Sequence, residues 1–231
     1  MIALFPTGFE EREGKDGLEF AAYGDADVAE QLSRALGQVS TERIEAGWEE
    51  RWKEFHRPVR IGRLWVGPPW EQPDDDVIAI VIDPGRAFGT GAHASTRLSL
   101  ELLGGLTPAG LLDLGCGSGV VAVAAAKLGF SPVVAVDFDE AAVEATRATA
   151  AANDVAVETF RADVLVDPLP QAEVAVANIA LQVVEALAAR LRTRLLVASG
   201  YLARERPTVA GWHTVERRES EGWAADLLER L

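Results

Sequence analysis

Along residues 77–231, two patterns of apolar and polar positions alternate, one typical of strands and one typical of helices. Short apolar runs, typical of buried strands, are separated by stretches rich in Ala, Glu and Arg with apolar residues at helical spacing. This alternation predicts an α/β fold, in which helices cover both faces of a parallel sheet. Two closing segments, 213–218 and 223–228, are interpreted as strands that form a hairpin at the edge of that sheet. The predicted strands are 78–82, 111–114, 133–136, 155–157, 174–177 and 195–198, and the predicted helices are 120–128, 140–152, 181–191 and 203–210.

The first third of the chain has a different pattern, which predicts a small α+β domain over residues 1–66. Residues 67–76 are rich in proline, glycine and aspartate, and predict a linker to a second domain over residues 77–231. The helix predicted over 42–55 carries an apolar stripe of Ile44, Trp48, Trp52 and Phe55. We expect this stripe to pack in the core; the alternative is an exposed aromatic surface that binds a partner. The elements predicted in the first domain are strands at 17–23 and 59–66 and helices from Asp25 or Asp27 to about residue 36 and over 42–55.

Charge and composition narrow the class of protein. The 36 acidic and 22 basic residues give a formal net charge of −14. That charge argues against a protein that grips nucleic-acid phosphates and favours a basic partner or a cationic ligand. The single cysteine, Cys116, excludes an internal disulfide and agrees with a reducing compartment. Because the chain has no long apolar stretch and no signal-peptide pattern, we expect a cytoplasmic protein without a membrane association.

The strongest local signal is the segment 111–119, L-L-D-L-G-C-G-S-G, in which an apolar strand runs into three alternate glycines. Glycine permits a sharp turn and lets a ligand approach the main chain, and the helix that follows offers free N–H groups. A dinucleotide-binding turn would have its third glycine at position 120, which is Val120 here. The absence of a following Lys-Ser or Lys-Thr excludes a P-loop. The G-x-G-x-G spacing resembles the cofactor turn of S-adenosylmethionine-dependent methyltransferases.

An acidic residue follows the next predicted strand. Asp137 lies 22 positions after Gly115, at a strand end where a carboxylate can accept hydrogen bonds from ribose hydroxyls. The alternative is that Asp137 only caps the helix that follows it. Asp163 follows the third strand, and its position suits either a bond from an adenine amino group or a solvated loop.

Two other segments carry polar groups at places where a ligand could lie. The segment 82–96, I-D-P-G-R-A-F-G-T-G-A-H-A-S-T, combines glycines, a proline and hydroxyls, and predicts a loop of special geometry that serves as a lid. Asn178 ends the fourth strand of the glycine-turn domain and offers an amide beside the expected cofactor methyl group.

Together these motifs resemble the PrmA-type methyltransferases, which modify the large-subunit ribosomal protein numbered eleven. The resemblance rests on D-P-G-x-A-F-G-T-G-x-H-x-x-T, L-D-L-G-C-G-S-G, V-D-F-D and A-N-I, and extends to A-S-G-Y-L at residues 198–202 and E-G-W at residues 221–223. F-P-T-G-F-E-E at residues 5–11 is similar to part of that family's substrate domain, which we expect to be N-terminally shortened here.

The resemblance implies a Rossmann-like seven-stranded class I domain that binds S-adenosylmethionine. It implies that an amine of the ribosomal protein, either a lysine side chain or the N-terminal α-amine, attacks the methyl group and that Asn178 orients this amine. His93 also matches the lid motif, and a bond to backbone within the loop is the alternative for it. The implied cofactor contacts are Thr96, Gly115, Gly117, Asp137 and Asn178, with Phe88, Gly89 and Thr90 in the lid beside them.

The expected partner is a basic ribosomal protein, and we expect a monomer without a metal site. Two other functions stay open at this point. One is a class I methyltransferase that acts on another protein or on a small molecule. The other is a module that binds S-adenosylmethionine without catalysis. Asn178-Ile179-Ala180-Leu181 stands where nucleic-acid amino methyltransferases and glutamine methyltransferases commonly carry Asn-Pro-Pro-Tyr, which counts against both of those activities.

Overall fold

Strands and short helices alternate through most of the described part of the chain. The computed structural model describes residues 10–14, 17–21, 33–34, 40, 56–83 and 91–231. The chain divides into two compact units, Met1–Arg51 and Trp52–Leu231, and each is described by itself. The strands are β1 Glu10–Gly14, β2 Gly17–Ala21, β3 Val59–Ile61, β4 Leu64–Gly67, β5 Ile78–Val81, β6 Leu111–Leu114, β7 Val133–Asp137, β8 Glu158–Arg161, β9 Val174–Asn178, β10 Leu195–Leu202, β11 Trp212–Ser220 and β12 Trp223–Arg230. The helices are α1 Ala94–Gly104, α2 Val120–Lys127, α3 Glu140–Ala152 and α4 Leu181–Ala188.

The first unit contains a two-stranded hairpin. β1 and β2 pair antiparallel, from Glu10 opposite Ala21 to Gly14 opposite Gly17. The strand expected at 17–23 is therefore confirmed over Gly17–Ala21, and residues 22 and 23 lie outside the described residues. Of the helices expected at 25–36 and 42–55, only Ser33 and Arg34 are described, and both are helical. The remainder of those two predictions lies outside the described residues.

The second unit is built on a seven-stranded sheet. Its strand order is β11-β12-β10-β9-β6-β7-β8. β8, β7, β6, β9 and β10 run parallel, and β12 pairs antiparallel with both β10 and β11. The predicted hairpin at the sheet edge is confirmed, because β11 is the edge strand. The order reverses direction between β6 and β9, which is where open α/β sheets form ligand crevices at the carboxyl ends of their strands.

Burial on both faces explains why the central strands are continuous apolar runs. All four residues of β6 and all five of β7 are buried. Leu111 contributes to a core that includes α1 and α2, whereas Leu112 and Leu114 contribute to a second core that includes α4. The alternation of side chains along a strand places successive residues on opposite faces. The central strands are therefore almost entirely apolar, with Asp113 as a buried acid within β6.

A smaller sheet corrects two of the predicted strands. The strand expected at 59–66 is a hairpin of β3 and β4, because Gly62 adopts a φ of +57° and starts a turn. The strand expected at 78–82 is present as β5, but it pairs parallel with β4 in this three-stranded sheet and lies outside the seven-stranded one. Asn153, the residue after α3, binds β5, since its side chain accepts from Val81 N–H at 2.8 Å and donates to Val81 O at 2.7 Å. The predicted linker at 67–76 thus connects paired strands, and the domain boundary stays a prediction.

Three further predictions differ from the structure. The strand expected at 155–157 begins at Glu158, because the chain leaves α3 through Asp154 at a φ of +53° and a bond from Val155 N–H to Ala150 O. The helix expected at 203–210 is absent: this stretch holds a turn followed by irregular chain, and Pro207 lacks the N–H that a helix would need there. Helix α1 was not predicted, because its first turn was interpreted as part of the lid.

Within the described residues no helix is long and apolar enough to cross a membrane. In that same part of the chain no group of His, Cys, Asp and Glu has the geometry to hold a metal ion.

Candidate functional site

The glycine turn lies between β6 and α2, and each of its glycines needs a conformation that other residues rarely adopt. Gly115, Gly117 and Gly119 have φ angles of +79°, +52° and +82°. A Cβ added to Gly115 would lie 2.8 Å from Ile179 Cγ2, and one added to Gly119 would lie 2.9 Å from Thr146 Cα. The turn therefore has a fixed shape, with its bare main chain held close to β9 and α3.

Asp137 lies beside this turn, as the sequence predicted. Its Oδ2 accepts a hydrogen bond from Gly117 N–H at 3.1 Å, and its Oδ1 accepts one from Asp139 N–H at 3.1 Å. The residue is 8% exposed and therefore buried. A carboxylate has about four acceptor positions, so two bonds leave capacity for ribose hydroxyls.

The alternative interpretation of Asp137, as the cap of the next helix, is wrong. The cap of α3 is Asp139, whose side chain accepts from Ala141 N–H at 3.0 Å. Asp137 instead connects the end of β7 to the glycine turn. Asp139 therefore caps α3, whereas Asp137 binds the glycine turn.

Thr96 and Asn178 meet on the other side of the glycine turn. Asn178 Nδ2 donates to Thr96 Oγ1 at 3.1 Å across 82 positions of sequence. Thr96 lies in the first turn of α1 and is 3% exposed, while Asn178 at the end of β9 is half-buried. Because Thr96 Oγ1 accepts this bond, its own O–H can donate to another acceptor.

A bulge in β10 packs against Ile179, the residue that follows Asn178. The register between β10 and β12 shifts between Ser199 and Tyr201, and the intervening Gly200 has a φ of +94°. A Cβ on Gly200 would lie only 2.6 Å from the carbonyl oxygen of Ile179. Ile179 N–H donates to Ser199 O at 3.0 Å. The ends of β9 and β10 therefore fix the backbone from which Asn178 projects.

Asp163 lies at the end of the neighbouring strand and belongs to a well-organised loop. Ala162 N–H donates to Asp137 O at 2.9 Å, which brings the start of this loop next to the end of β7. Asp163 is exposed, and its Oδ1 accepts from Leu165 N–H at 2.9 Å. Arg190 fixes the loop by donating to the carbonyl oxygens of Val164 and Asp167. The position agrees with both alternatives for Asp163, and its contact with adenine stays a prediction.

The lid residues Phe88, Gly89 and Thr90 lie outside the described residues. The segment that follows them is described, and there His93 caps α1 by accepting the Ser95 N–H at 3.3 Å. The His93 ring also packs edge-to-face on Trp223, with ring centroids 4.5 Å apart. A bond from this histidine to backbone is therefore confirmed.

Asp113 is a part of the site that the sequence analysis missed. It is 2% exposed, and its Oδ2 has no hydrogen-bond partner among the described residues. Burial raises the pKa of Asp113 from its ordinary 3.8 to about 7; a bond from Ala122 N–H opposes this rise, and the charge of Asp137 adds to it. The available signal was an acid within an otherwise apolar strand.

Cys116 lies in the same turn without the properties of a nucleophile. It is buried, and Thr146 Oγ1 donates to its sulfur at 3.2 Å. Burial, together with the charges of Asp113 and Asp137, raises the pKa of the thiol to about 12. The thiol therefore stays protonated at neutral pH and acts as a packing group.

The cradle as a whole fits a nucleoside that carries a positive charge. Bare main chain, the start of α2 and the Asp137 carboxylate converge at the carboxyl ends of β6 and β7. The carboxyl of Asp113 is buried next to them, and its burial favours the neutral form. This strand order, with β12 as the antiparallel strand, defines a class I methyltransferase fold.

Comparisons with known proteins specify the family. The model for ribosomal protein L11 methyltransferase (PrmA) matches residues 12–228, so the chain belongs to that family. A ribosomal protein L11 methyltransferase of Symbiobacterium thermophilum is 38% identical over 215 residues, covering 84% of this chain and 71% of the relative. One of Pelobacter propionicus is 42% identical over 207 residues, covering 79% and 66%.

A solved structure agrees with this family and with the fold. The ribosomal protein L11 methylase of Lactobacillus delbrueckii subsp. bulgaricus superposes with a TM-score of 0.66 at 27% identity. The match covers 76% of this chain and 99% of that one. Across the similar curated relatives, the chain spans 58% to 71% of their length.

Proposed function

We propose that this chain is an S-adenosylmethionine-dependent protein methyltransferase whose substrate is ribosomal protein L11. The observation that carries the proposal is the 3.1 Å bond between Gly117 N–H and the Asp137 carboxylate, within a chain that matches the L11 methyltransferase family over residues 12–228. That bond joins the two predicted halves of a nucleoside site into one crevice. The expected substrate groups are amines, either lysine side chains or the N-terminal α-amine.

The residues have distinct roles in this proposal. When bound, S-adenosylmethionine supplies a methyl group that its sulfonium centre already activates. Gly115 and Gly117 present main chain to the ligand, and Asp137 accepts from the ribose hydroxyls. Asp163 would meet the adenine amino group, while Phe88, Gly89 and Thr90 would close over the ligand. The larger part of the catalysis then comes from positioning two reactants in line.

Thr96 and Asn178 would contact the methyl donor, and Asn178 would also orient the incoming amine. Asn178 lies at the end of β9, and its Nδ2 is already committed to Thr96 Oγ1 at 3.1 Å. Its amide oxygen is then the group that can accept a bond from an amine N–H. An amine must lose its proton before it attacks, because the ordinary pKa is about 10.4 for lysine and about 8 for an α-amine. Desolvation in the crevice lowers such a pKa and so favours the reactive form.

The charge of the chain supports a basic partner. A formal net charge of −14 would accelerate encounter with a basic ribosomal protein and penalise nucleic acid. The expected rate enhancement falls as ionic strength rises, since Debye screening shortens the range of these charges to about 8 Å at physiological salt.

The proposal is tested by transfer of a radiolabelled methyl group from S-adenosylmethionine to purified ribosomal proteins. Label on L11, on amines identified by mass spectrometry, is the expected result. Label on another protein or on a small molecule would replace L11 as the substrate. Binding of the cofactor without any transfer would leave only a non-catalytic binding module.

Asp137→Ala tests the cofactor site directly. A charged hydrogen-bonding group contributes roughly 1.5–3 kcal/mol, so the Kd for S-adenosylmethionine in calorimetry should rise about ten- to hundredfold. Asp137→Asn keeps acceptor and packing and should give a smaller rise, which covers the case in which the alanine variant is unstable. Glu144→Ala, on an exposed position of α3, is the matched control. A Kd equal to that of the wild type in both Asp137 variants would show that the ligand binds elsewhere.

A further inference from the structure

The turn between β11 and β12 has an unusual residue at a strained position. Ser220 pairs with Trp223, which leaves Glu221 and Gly222 as a two-residue turn. Both have positive φ angles, +52° and +78°, as in type I′ turns. Such turns prefer Asn-Gly or Asp-Gly, and glutamate is disfavoured in the left-handed region. A local preference broken in this way points to a contact elsewhere that requires the glutamate.

That contact is an ion pair with the start of α1. Glu221 Oε1 lies 2.5 Å from Arg97 Nη2, and Arg97 Nη1 donates to Ala92 O at 2.6 Å. The Arg97 side chain is 24% exposed and the Glu221 side chain 66% exposed, so the pair is shielded from solvent on the Arg97 side only. Arg97 therefore ties the hairpin turn both to its own helix and to the chain that precedes that helix.

Neighbouring contacts hold the same two segments together. Trp223, the residue after the turn, packs on the ring of His93, which caps α1. Ala203 N–H donates to Gly222 O at 2.8 Å and so connects the turn to the end of β10. The segment 91–97 is thus fixed by the hairpin on one side, and Thr96 is the residue of that segment that bonds Asn178.

We propose that Glu221 is a positioning residue, which acts through Arg97 to hold Thr96 and Asn178 in the geometry that the methyl donor requires. This inference rests on the proposed function, because it assigns Thr96 and Asn178 to that donor's site. Glu221 lies on the turn between β11 and β12, far in sequence from the glycine turn at residues 115–119. Its carboxylate has no proposed contact with substrate or donor.

The strain at Glu221 makes the test selective. Glu221→Asn supplies a residue that the turn prefers and removes the ion pair, so stability should be unchanged or higher while donor binding weakens. An ion pair at this exposure contributes up to about 1 kcal/mol, which corresponds to an increase of about two- to fivefold in the Kd and KM for S-adenosylmethionine. The kcat should change less than the KM, because the reacting atoms are not contacted. Glu221→Gln keeps a hydrogen-bond acceptor for Arg97 but removes the charge. Its Kd for S-adenosylmethionine should lie between that of the wild type and that of Glu221→Asn.

Glu101→Gln is the matched control, because Glu101 also joins α1 to β11, through Arg218 Nη1 at 3.0 Å. It breaks an ion pair of the same kind between the same elements, at a position more than a turn beyond Thr96. The Kd and the thermal midpoint of the full chain are measured for each variant. The double variant Arg97→Gln with Glu221→Gln should bind no more weakly than Arg97→Gln alone, since both act through one contact.

The outcomes separate this inference from the proposed function. A Kd for Glu221→Asn no different from that of the Glu101→Gln control, in a protein whose Asp137→Ala variant binds weakly, would overturn the positioning role and leave the site intact. Weakening by Glu221→Asn together with a lower thermal midpoint would also overturn it, because a structural role alone would then suffice. An unchanged Kd in the Asp137 variants would refute the proposed site itself.

Discussion

The buried carboxyl of Asp113 should make stability depend on pH in a way that one substitution removes. The folded pKa is about 7, against an ordinary value of 3.8, so the folded chain holds this proton more tightly than the unfolded chain. The contribution of this group to stability is therefore fully present below pH 3.8 and is lost as pH rises through about 7. At 1.36 kcal/mol per pKa unit, the loss amounts to about 4 kcal/mol at most.

Asp113→Asn keeps an oxygen for the Ala122 N–H and cannot ionise. Urea unfolding of both proteins at pH 5, 6, 7 and 8 gives the difference in free energy of unfolding at each pH, in which the other titrating groups cancel. This difference should move in favour of the variant by about 3 kcal/mol at most between pH 5 and pH 7. A difference that stays constant over this range would refute the elevated pKa and, with it, the assignment of a neutral Asp113 beneath the glycine turn.

Two further substitutions probe the framework of the site. Gly200→Ala places a Cβ 2.6 Å from Ile179 O, so we expect the free energy of unfolding to fall by about 1 to 3 kcal/mol and donor binding to weaken. Gly211→Ala is the control: Gly211 also has a positive φ, +81°, but has open space around it, so this variant should lose only the free energy of its backbone strain. Asp226→Asn removes the buried carboxylate 2.7 Å from Arg217 and leaves Glu219, at 2.6 Å, as the remaining charged partner, so urea unfolding should show a loss of about 1 to 3 kcal/mol. Equal thermal midpoints for the two glycine variants, or an Asp226→Asn loss below about 1 kcal/mol, would contradict these expectations.

The parts of the fold that the sequence predicted correctly are those in which one segment decides its own structure. β6 and α3 have the expected bounds, because an unbroken apolar run and a helix cap at Asp139 are local signals. The segment 155–157 has strand-like composition, yet it forms the exit from α3, with Val155 N–H bonded to Ala150 O, and β8 begins only after it. The segment 203–210 has helical composition, yet Ala203 bonds across to Gly222. The first is a contact within one turn at the end of α3 and the second joins distant segments; both override local preference, and neither is visible in composition.

The site divides in the same way. The glycine turn and Asp137 were predicted from spacing alone, because strand ends bring sequence neighbours in a β-α-β unit to the same edge. Thr96 and Asn178 were each named through the resemblance to a family, but their mutual hydrogen bond was not predicted, since 82 residues separate them. Asp113 was missed because its significance comes from burial and a missing partner, and Glu221 because its significance comes from backbone conformation.

Strand order explains where the crevice lies and also what the crevice does not decide. β6 pairs with β7 on one side and with β9 on the other, so the connections that leave β6 and β9 diverge and open a space at their carboxyl ends. Asp137 ends β7 on one side of that space and Asn178 ends β9 on the other, as the proposed nucleoside site and the proposed acceptor for the amine require. Nothing in this arrangement distinguishes L11 from another amine. The proposed function therefore requires L11 to be recognised by residues outside the crevice, and variants that keep donor binding but lose methyl transfer to L11 should map away from β6, β7 and β9.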